Sequence, residues 1–292
     1  MFSLRQLEFA VAVAEEGSFT AAAVRCHTVQ SALSHQIAKL EEQLGARLFD
    51  RRGRGVRVTA AGEVFLHNAR RTLRAAQRLQ DEMAQAVGVV RGRINIGQIS
   101  SLMTVWIPEL LSEFRRAHAE VDVHLRTGMS EALLRDLAEG QLDVALVGVG
   151  TQVELPEQRL LLHEEGLALI TAPGHRFARR RSVALRELDD APMAGLSPGA
   201  GVRGIIDGAF AEAGLRQRLQ YEATHAELIR QLVAEDLCIS ILPQTTAETM
   251  DGIAMVKLTP SFRFLTYACW HRDPTPAARA FVALLRERYE KN

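Results

Sequence analysis

The hydrophobic period of this chain changes once, near residue 92, and that change limits its fold more than any other feature. Before it, apolar residues recur at helical spacing. After it, short apolar runs alternate with amphipathic helices, the pattern of an α/β sheet. RINIGQI (93–99), VDVHLRTG (121–128), DVALVGVG (143–150), GLALITAP (166–173), APMAGLS (191–197), LQYEA (219–223) and CISILP (238–243) read as strands. A chain of 292 residues has room for about two domains of ~100–200 residues each, so two architectures in series are expected.

The first ninety residues read as short helices. Ser3 followed by Gln6 is a capping-box pattern, with Leu4, Leu7, Val11 and Ala14 on one face behind it. Gly17 ends that helix, and Ser18 caps the next, FTAAAVRC. A short turn at His27 and Thr28 leads into VQSALSHQIAKLEEQLG, with Thr28 as the expected N-cap. Val29, Leu33, Ile37, Leu40 and Leu44 mark its buried stripe. The opposite face carries Gln30, Ser31, Ser34, His35 and Lys39. Amides and hydroxyls in the first turns of a helix braced by another can pair with base edges in the major groove. RLFDRRGRGVRVTAAG then reads as strand, glycine turn and strand, with Arg47, Arg51, Arg52, Arg54 and Arg57 clustered on it. Arginine on such a turn reaches phosphate with little obstruction.

From Thr59 a longer helix runs to about Val90. Phe65, Ala69, Leu73, Ala76, Leu79, Met83 and Ala86 repeat at close to the 3.5-residue spacing of a two-helix seam, which suits pairing with a second copy.

Residues 4–62, LRQLEFAVAVAEEGSFTAAA…VQSALSHQIAKLEEQLGARLFDRRGRGVRVTAAG, resemble without a gap the winged helix-turn-helix of the LysR-type transcriptional regulators. Ser31 stands where that family often has proline and His35 where arginine is common, both on the DNA-facing side. GQLDVALVG, APGHRFA and ELIRQLVAEDLCISILP resemble the family's effector-binding domain, a two-subdomain α/β fold like periplasmic solute-binding proteins. The resemblance implies a winged helix-turn-helix at 1–60, a linker and dimerisation helix with its hinge at 61–91, and an effector-binding domain at 92–292. Subdomain I would take 92–163 and 264–292, and subdomain II 164–263. It further implies double-stranded DNA, a small-molecule effector and RNA polymerase as partners, in a homodimer or homotetramer. Before ILP, Glu235, Asp236 and Cys238 replace an Ala-Gly pair and a further glycine; Asp tolerates a left-handed backbone better than most residues.

Polar and small residues gather where strands of the second half meet helices: Ser100, Ser101 and Thr104; Thr127 and Ser130; Gly148 and Val149; Ser197 and Gly201; Thr224 and His225. In open α/β sheets these junctions converge at the carboxyl edge, where ligands bind. Helix N-termini there favour an anion, so a carboxylate co-inducer is the expected effector, with no further cofactor.

Charge first argues against a nucleic-acid partner, since 35 basic and 35 acidic side chains cancel. Resolved along the chain, residues 1–91 carry +4 and residues 92–292 carry −4, a basic head on an acidic body. Enzyme readings find no support. His163-Glu164-Glu165 lacks a zinc protease's second histidine, GLSPGAGVRG lacks the ending of a P-loop, and no G-x-S-x-G is present. Cys26, Cys238 and Cys269 form no C-x-x-C, so no metal site is expected. A redox switch through Cys238 and Cys269 would need Cα atoms within ~7 Å. The apolar run Phe9–Ala14 is too short for a secretory signal or a membrane span, which points to the cytoplasm. The reading is a ligand-controlled, sequence-specific DNA-binding regulator. The alternatives are a redox-responsive regulator of the same fold, or a solute-binding or ligand-sensing protein without DNA function.

Overall fold

The computed structural model describes residues 2–50, 55–100 and 107–290. They fall into two compact units, residues 1–89 and, apart from 139–141, residues 90–292.

The first unit is built from α1 (Leu4–Glu16), α2 (Phe19–Arg25), α3 (Gln30–Leu44), β1 (Phe49–Asp50), β2 (Arg57–Val58) and α4 (Ala60–Ala86). Its helices begin where side chains can satisfy free backbone donors. Ser3 accepts from the Gln6 amide while the Gln6 side chain returns to Ser3. Ser18 accepts from Ala21, and Thr59 from Gly62. Such caps contribute about 1 kcal/mol each. α1 and α3 stop at Gly17 and Gly45, whose φ angles of 60° and 64° are left-handed. The start of α3 differs from the expectation. Its N-cap is Val29, which has no side-chain bond, while the Thr28 amide donates to the Ala23 carbonyl and closes the end of α2. Val29, expected in the buried stripe, is 65% exposed because it precedes the helix and escapes its period. Phe9, Val13, Ala22, Leu33, Ile37 and Leu40 form the core, joined by Leu66 of α4. Farther along α4, Leu79 and Met83 are 62% and 63% exposed.

The second unit runs β3 (Gly92–Ile99), α5 (Ile107–Ala117), β4 (Val121–Gly128), α6 (Ser130–Ala138), β5 (Val144–Val149) and β6 (Arg159–Thr171). It continues with β7 (Ser182–Ala184), β8 (Pro192–Leu196), α7 (Gly201–Glu212), β9 (Arg218–Ala223), α8 (Ala226–Ala234) and β10 (Ile239–Pro243). α9 (Gln244–Glu248), β11 (Ala254–Thr259), β12 (Arg263–Trp270) and α10 (Pro276–Tyr289) complete it. The strand order is β4-β3-β5-β12-β6-β10-β8-β9, with β11 between β6 and β7. β6 joins two halves: Arg159–Gly166 pairs with β12, and Leu167–Thr171 with β10 and β11. Ile94, Ile96, Leu110, Phe114 and Phe281 fill one core; Leu169, Ile170, Ile206, Phe210 and Ile241 belong to the other.

β6 begins well before the expected residue 166. RLLLHEE is not among the expected strands, and its glutamates brace the crossing. Arg263 grips Glu164 with two donors, and Glu165 accepts from the amide and hydroxyl of Thr245 at the start of α9. The Arg263 bond holds the Glu164 carboxyl below the usual range. Asp236 has φ 55°, the left-handed backbone expected where the family has glycine.

Candidate functional site

In the first unit, α2 and α1 hold α3 by its apolar stripe, so the other side of α3 is offered outward. Gln30, Ser31, His35 and Lys39 are exposed and Ser34 is half-buried, all on the outer side of the helix. The wing next to it is tied down by side chains that periodicity did not reveal. Glu41, on α3, accepts from the amides of Leu48 and Phe49 at 2.7 and 3.2 Å. Thr59 donates to the Arg47 carbonyl at 2.6 Å, and Phe19 meets Phe49 edge-on at 6.1 Å. The wing strands pair Phe49 with Val58 and Asp50 with Arg57. Arg47 and Arg57 are exposed at its base. Arg51, Arg52 and Arg54 lie outside the described residues.

The junction residues of the second unit separate into groups. Ser100, Ser130, Gly201 and Thr224 line one narrow recess of about 10 Å³ beside Ile99 and Val202. Ser130 and Gly201, with Val149, also border a much larger cavity of about 880 Å³. Thr127, Gly148, Ser197 and His225 line neither. Ser101 and Thr104 lie outside the described residues. Some of these residues are committed to packing. The Ser130 hydroxyl donates to the Gly148 carbonyl at 2.7 Å and accepts from the Gly148 amide at 3.3 Å. A Cβ on Gly201 would sit 1.8 Å from the same carbonyl, so α7 can begin this close to β5 only with glycine there.

The large cavity is lined by segments of α6, the loop after β5, α7 and the residues before β12. Its charged residues escaped the sequence reading because they come from four separate stretches: Glu131, Glu154, Arg203, Asp207, Glu212 and Arg263. Only the four-residue spacing of Arg203 and Asp207 on α7 was visible locally. Arg203 is claimed by Asp207 at 2.7 Å and Glu222 at 3.2 Å, and Arg263 by Glu164.

Residues 4–63 match the bacterial regulatory helix-turn-helix protein, lysR family, and residues 88–290 match the LysR substrate binding domain. The chain is a LysR-family transcriptional regulator. Hydrogen peroxide-inducible genes activator of Dickeya chrysanthemi is 29% identical, covering 99% of this chain and 93% of its own length. The RuBisCO operon transcriptional regulator of Allochromatium vinosum is 30% identical over 84% of this chain and 81% of its own. Among solved structures, a full-length OxyR variant from Pseudomonas aeruginosa superposes with TM-score 0.74 at 25% identity, covering 98% of this chain and 95% of that one. Full-length CbnR in complex with its target DNA gives 0.65 at 26% identity, covering 98% and 99%. LysR regulators bind DNA, respond to small molecules and act as oligomers. No helix among the described residues is long and apolar enough to cross a membrane.

The peroxide-responsive relatives raise the question of this regulator's own thiols. Cys269 pairs with Arg159 at one end of β6, whereas Ser240, two residues past Cys238, pairs with Ile170 at the other. Eleven steps along a strand at ~3.3 Å put those positions roughly 36 Å apart, far beyond disulfide reach. Burial also pushes the Cys238 thiol up to about 11 and the Cys269 thiol to about 12, so both stay protonated near neutrality.

Proposed function

We propose that this regulator reads DNA through α3 and is switched by a small molecule in the cleft of its second unit. α3 enters the major groove with Gln30, Ser31, Ser34, His35 and Lys39 toward the base edges. Arg51, Arg52 and Arg54 contact phosphate or the minor groove and so position the head. Two copies join through the α4 helices, using Leu79 and Met83, and pairs of dimers form a homotetramer spanning two sites. The effector shifts the population between two shapes of the cleft, which requires it to bind one shape preferentially. The altered tetramer changes the bend of the DNA and its contact with RNA polymerase. The protein works in the cytoplasm and has no catalytic role in this scheme. The observation that carries the reading is the outward polar face of α3 in a chain similar over nearly its whole length to a regulator solved on its target DNA.

Fluorescence anisotropy with the DNA upstream of the protein's own gene tests it. Gln30→Ala is expected to lose about 1–3 kcal/mol of discrimination between that site and a base-substituted one. Arg52→Ala is expected to weaken both DNAs alike and to flatten the salt dependence. Unchanged affinity and preference in Gln30→Ala would place the reading surface elsewhere. A redox-responsive regulator is supported by the peroxide-inducible relatives; the separation of Cys238 from Cys269 speaks against an intramolecular disulfide as its switch.

A further inference from the structure

We infer that the large cavity beside α7 takes an organic cation, an amine carried on an aliphatic body, rather than the carboxylate that its helix N-termini suggest; this rests on the cleft being the effector site. Three observations meet there. The first is room: about 880 Å³ open to α6, α7 and the loop after β5, within the ordinary size of small-molecule sites. The second is the surface of α7. Gly204 and Gly208 lie inside the helix and line the cavity, yet a Cβ on either would meet nothing within 4 Å. Glycine weakens a helix relative to alanine, and no neighbour within the described chain requires it at these two positions. Gly201, by contrast, is explained by the Gly148 carbonyl.

The third is the charge balance. Both arginines of the lining are already paired, Arg203 with Asp207 and Glu222, and Arg263 with Glu164. Glu131, Glu154 and Glu212 are exposed on the lining, and their carboxylates have no ion pair or hydrogen bond among the described residues. Glu131 also occupies the ground on which an anion would be held. Its carboxylate faces Gly199, just ahead of α7: a Cβ on Gly199 would lie 3.4 Å from Glu131 Oε2. A carboxylate of the chain thus lies beside the turn that leads into α7, and an anion placed there would be repelled. Leu134, Val153, Ile205 and Phe262 line the same cavity and give it apolar surface suited to methylenes between amines.

Isothermal titration calorimetry on the full chain, with spermidine as the cation and glutarate as the anion, tests the inference. Wild type is expected to bind spermidine saturably and glutarate not at all. The Glu131→Gln/Glu154→Gln/Glu212→Gln variant is expected to bind spermidine about tenfold more weakly, since each exposed charge pair contributes modestly. These side chains are exposed, so the variant should fold as wild type does. Gly208→Phe, placed in open space on α7, should abolish binding. Absence of saturable spermidine binding up to about 10 mM overturns the proposal. So does spermidine binding that neither variant changes, which would also remove the cleft as the ligand site. Saturable glutarate binding that Gly208→Phe abolishes overturns the cation assignment alone and leaves the effector cleft standing.

Discussion

α3 and the cavity beside α7 are the two surfaces proposed to recognise a partner, and they are assembled differently. The polar residues of α3 occupy one face of one helix, and a single apolar stripe, Leu33, Ile37 and Leu40, holds them in place. The cavity draws residues 130–134, 149–154, 198–212 and 261–263 to one place, and each segment arrives on a different element. A surface of the first kind fails when its stripe fails. One of the second kind fails when elements can no longer approach, as at Gly201 and Gly148.

The largest effect that would separate the two is expected from Leu33→Ala. Leu33 is fully buried, and its truncation should cost the first unit about 2–5 kcal/mol. Urea unfolding followed in each unit should show the loss in residues 1–89, with DNA binding weakened and ligand binding by the second unit retained. Equal destabilisation of both units would break the comparison. Gly201→Ala comes next. Its methyl group would collide with the Gly148 carbonyl, so the second unit should lose about 1–3 kcal/mol and its ligand affinity, while the isolated DNA contact surface is untouched. A smaller and more local change is expected from Glu41→Ala. Removing the acceptor of the Leu48 and Phe49 amides should cost about 1–2 kcal/mol and weaken DNA binding through the wing without altering base preference at α3. A shift in base preference would mean that wing and helix read the site together.

The smallest effect concerns the thiols. Cys238 and Cys269 have raised pKa values, so near pH 8 both remain protonated; their thiolate fraction grows only as pH climbs toward about 11 and 12. In the native protein a thiol reagent should modify half-buried Cys26 first, and the other two only after unfolding. Rapid native modification of Cys238 at pH 8 would show an opening of the second unit that the folded form does not have, and would bring the redox reading forward.

The sequence by itself determined the local features: the caps at Ser3, Ser18 and Thr59, the outward face of α3 and the switch of period that separates the two units. Each depends on residues within a few positions of one another, where the backbone period and the nearest donors decide the outcome. Thr28 and Val29 mark the limit of that logic: the Thr28 amide is spent on the Ala23 carbonyl at the end of α2, and α3 begins one residue later than the pattern suggests, behind Val29, which offers no capping oxygen. The full extent of β6 and the charge of the cavity were decided only by the tertiary structure. A charged stretch such as RLLLHEE becomes strand when β12 lies ready to pair with it, and Glu131, Glu154 and Glu212 come to line one cavity only when three distant segments fold together. The helix N-termini in the sequence pointed to an anion. Long-range packing set the Glu131 carboxylate beside the Gly199 turn that precedes α7, and electrostatics depends on distance in space rather than along the chain.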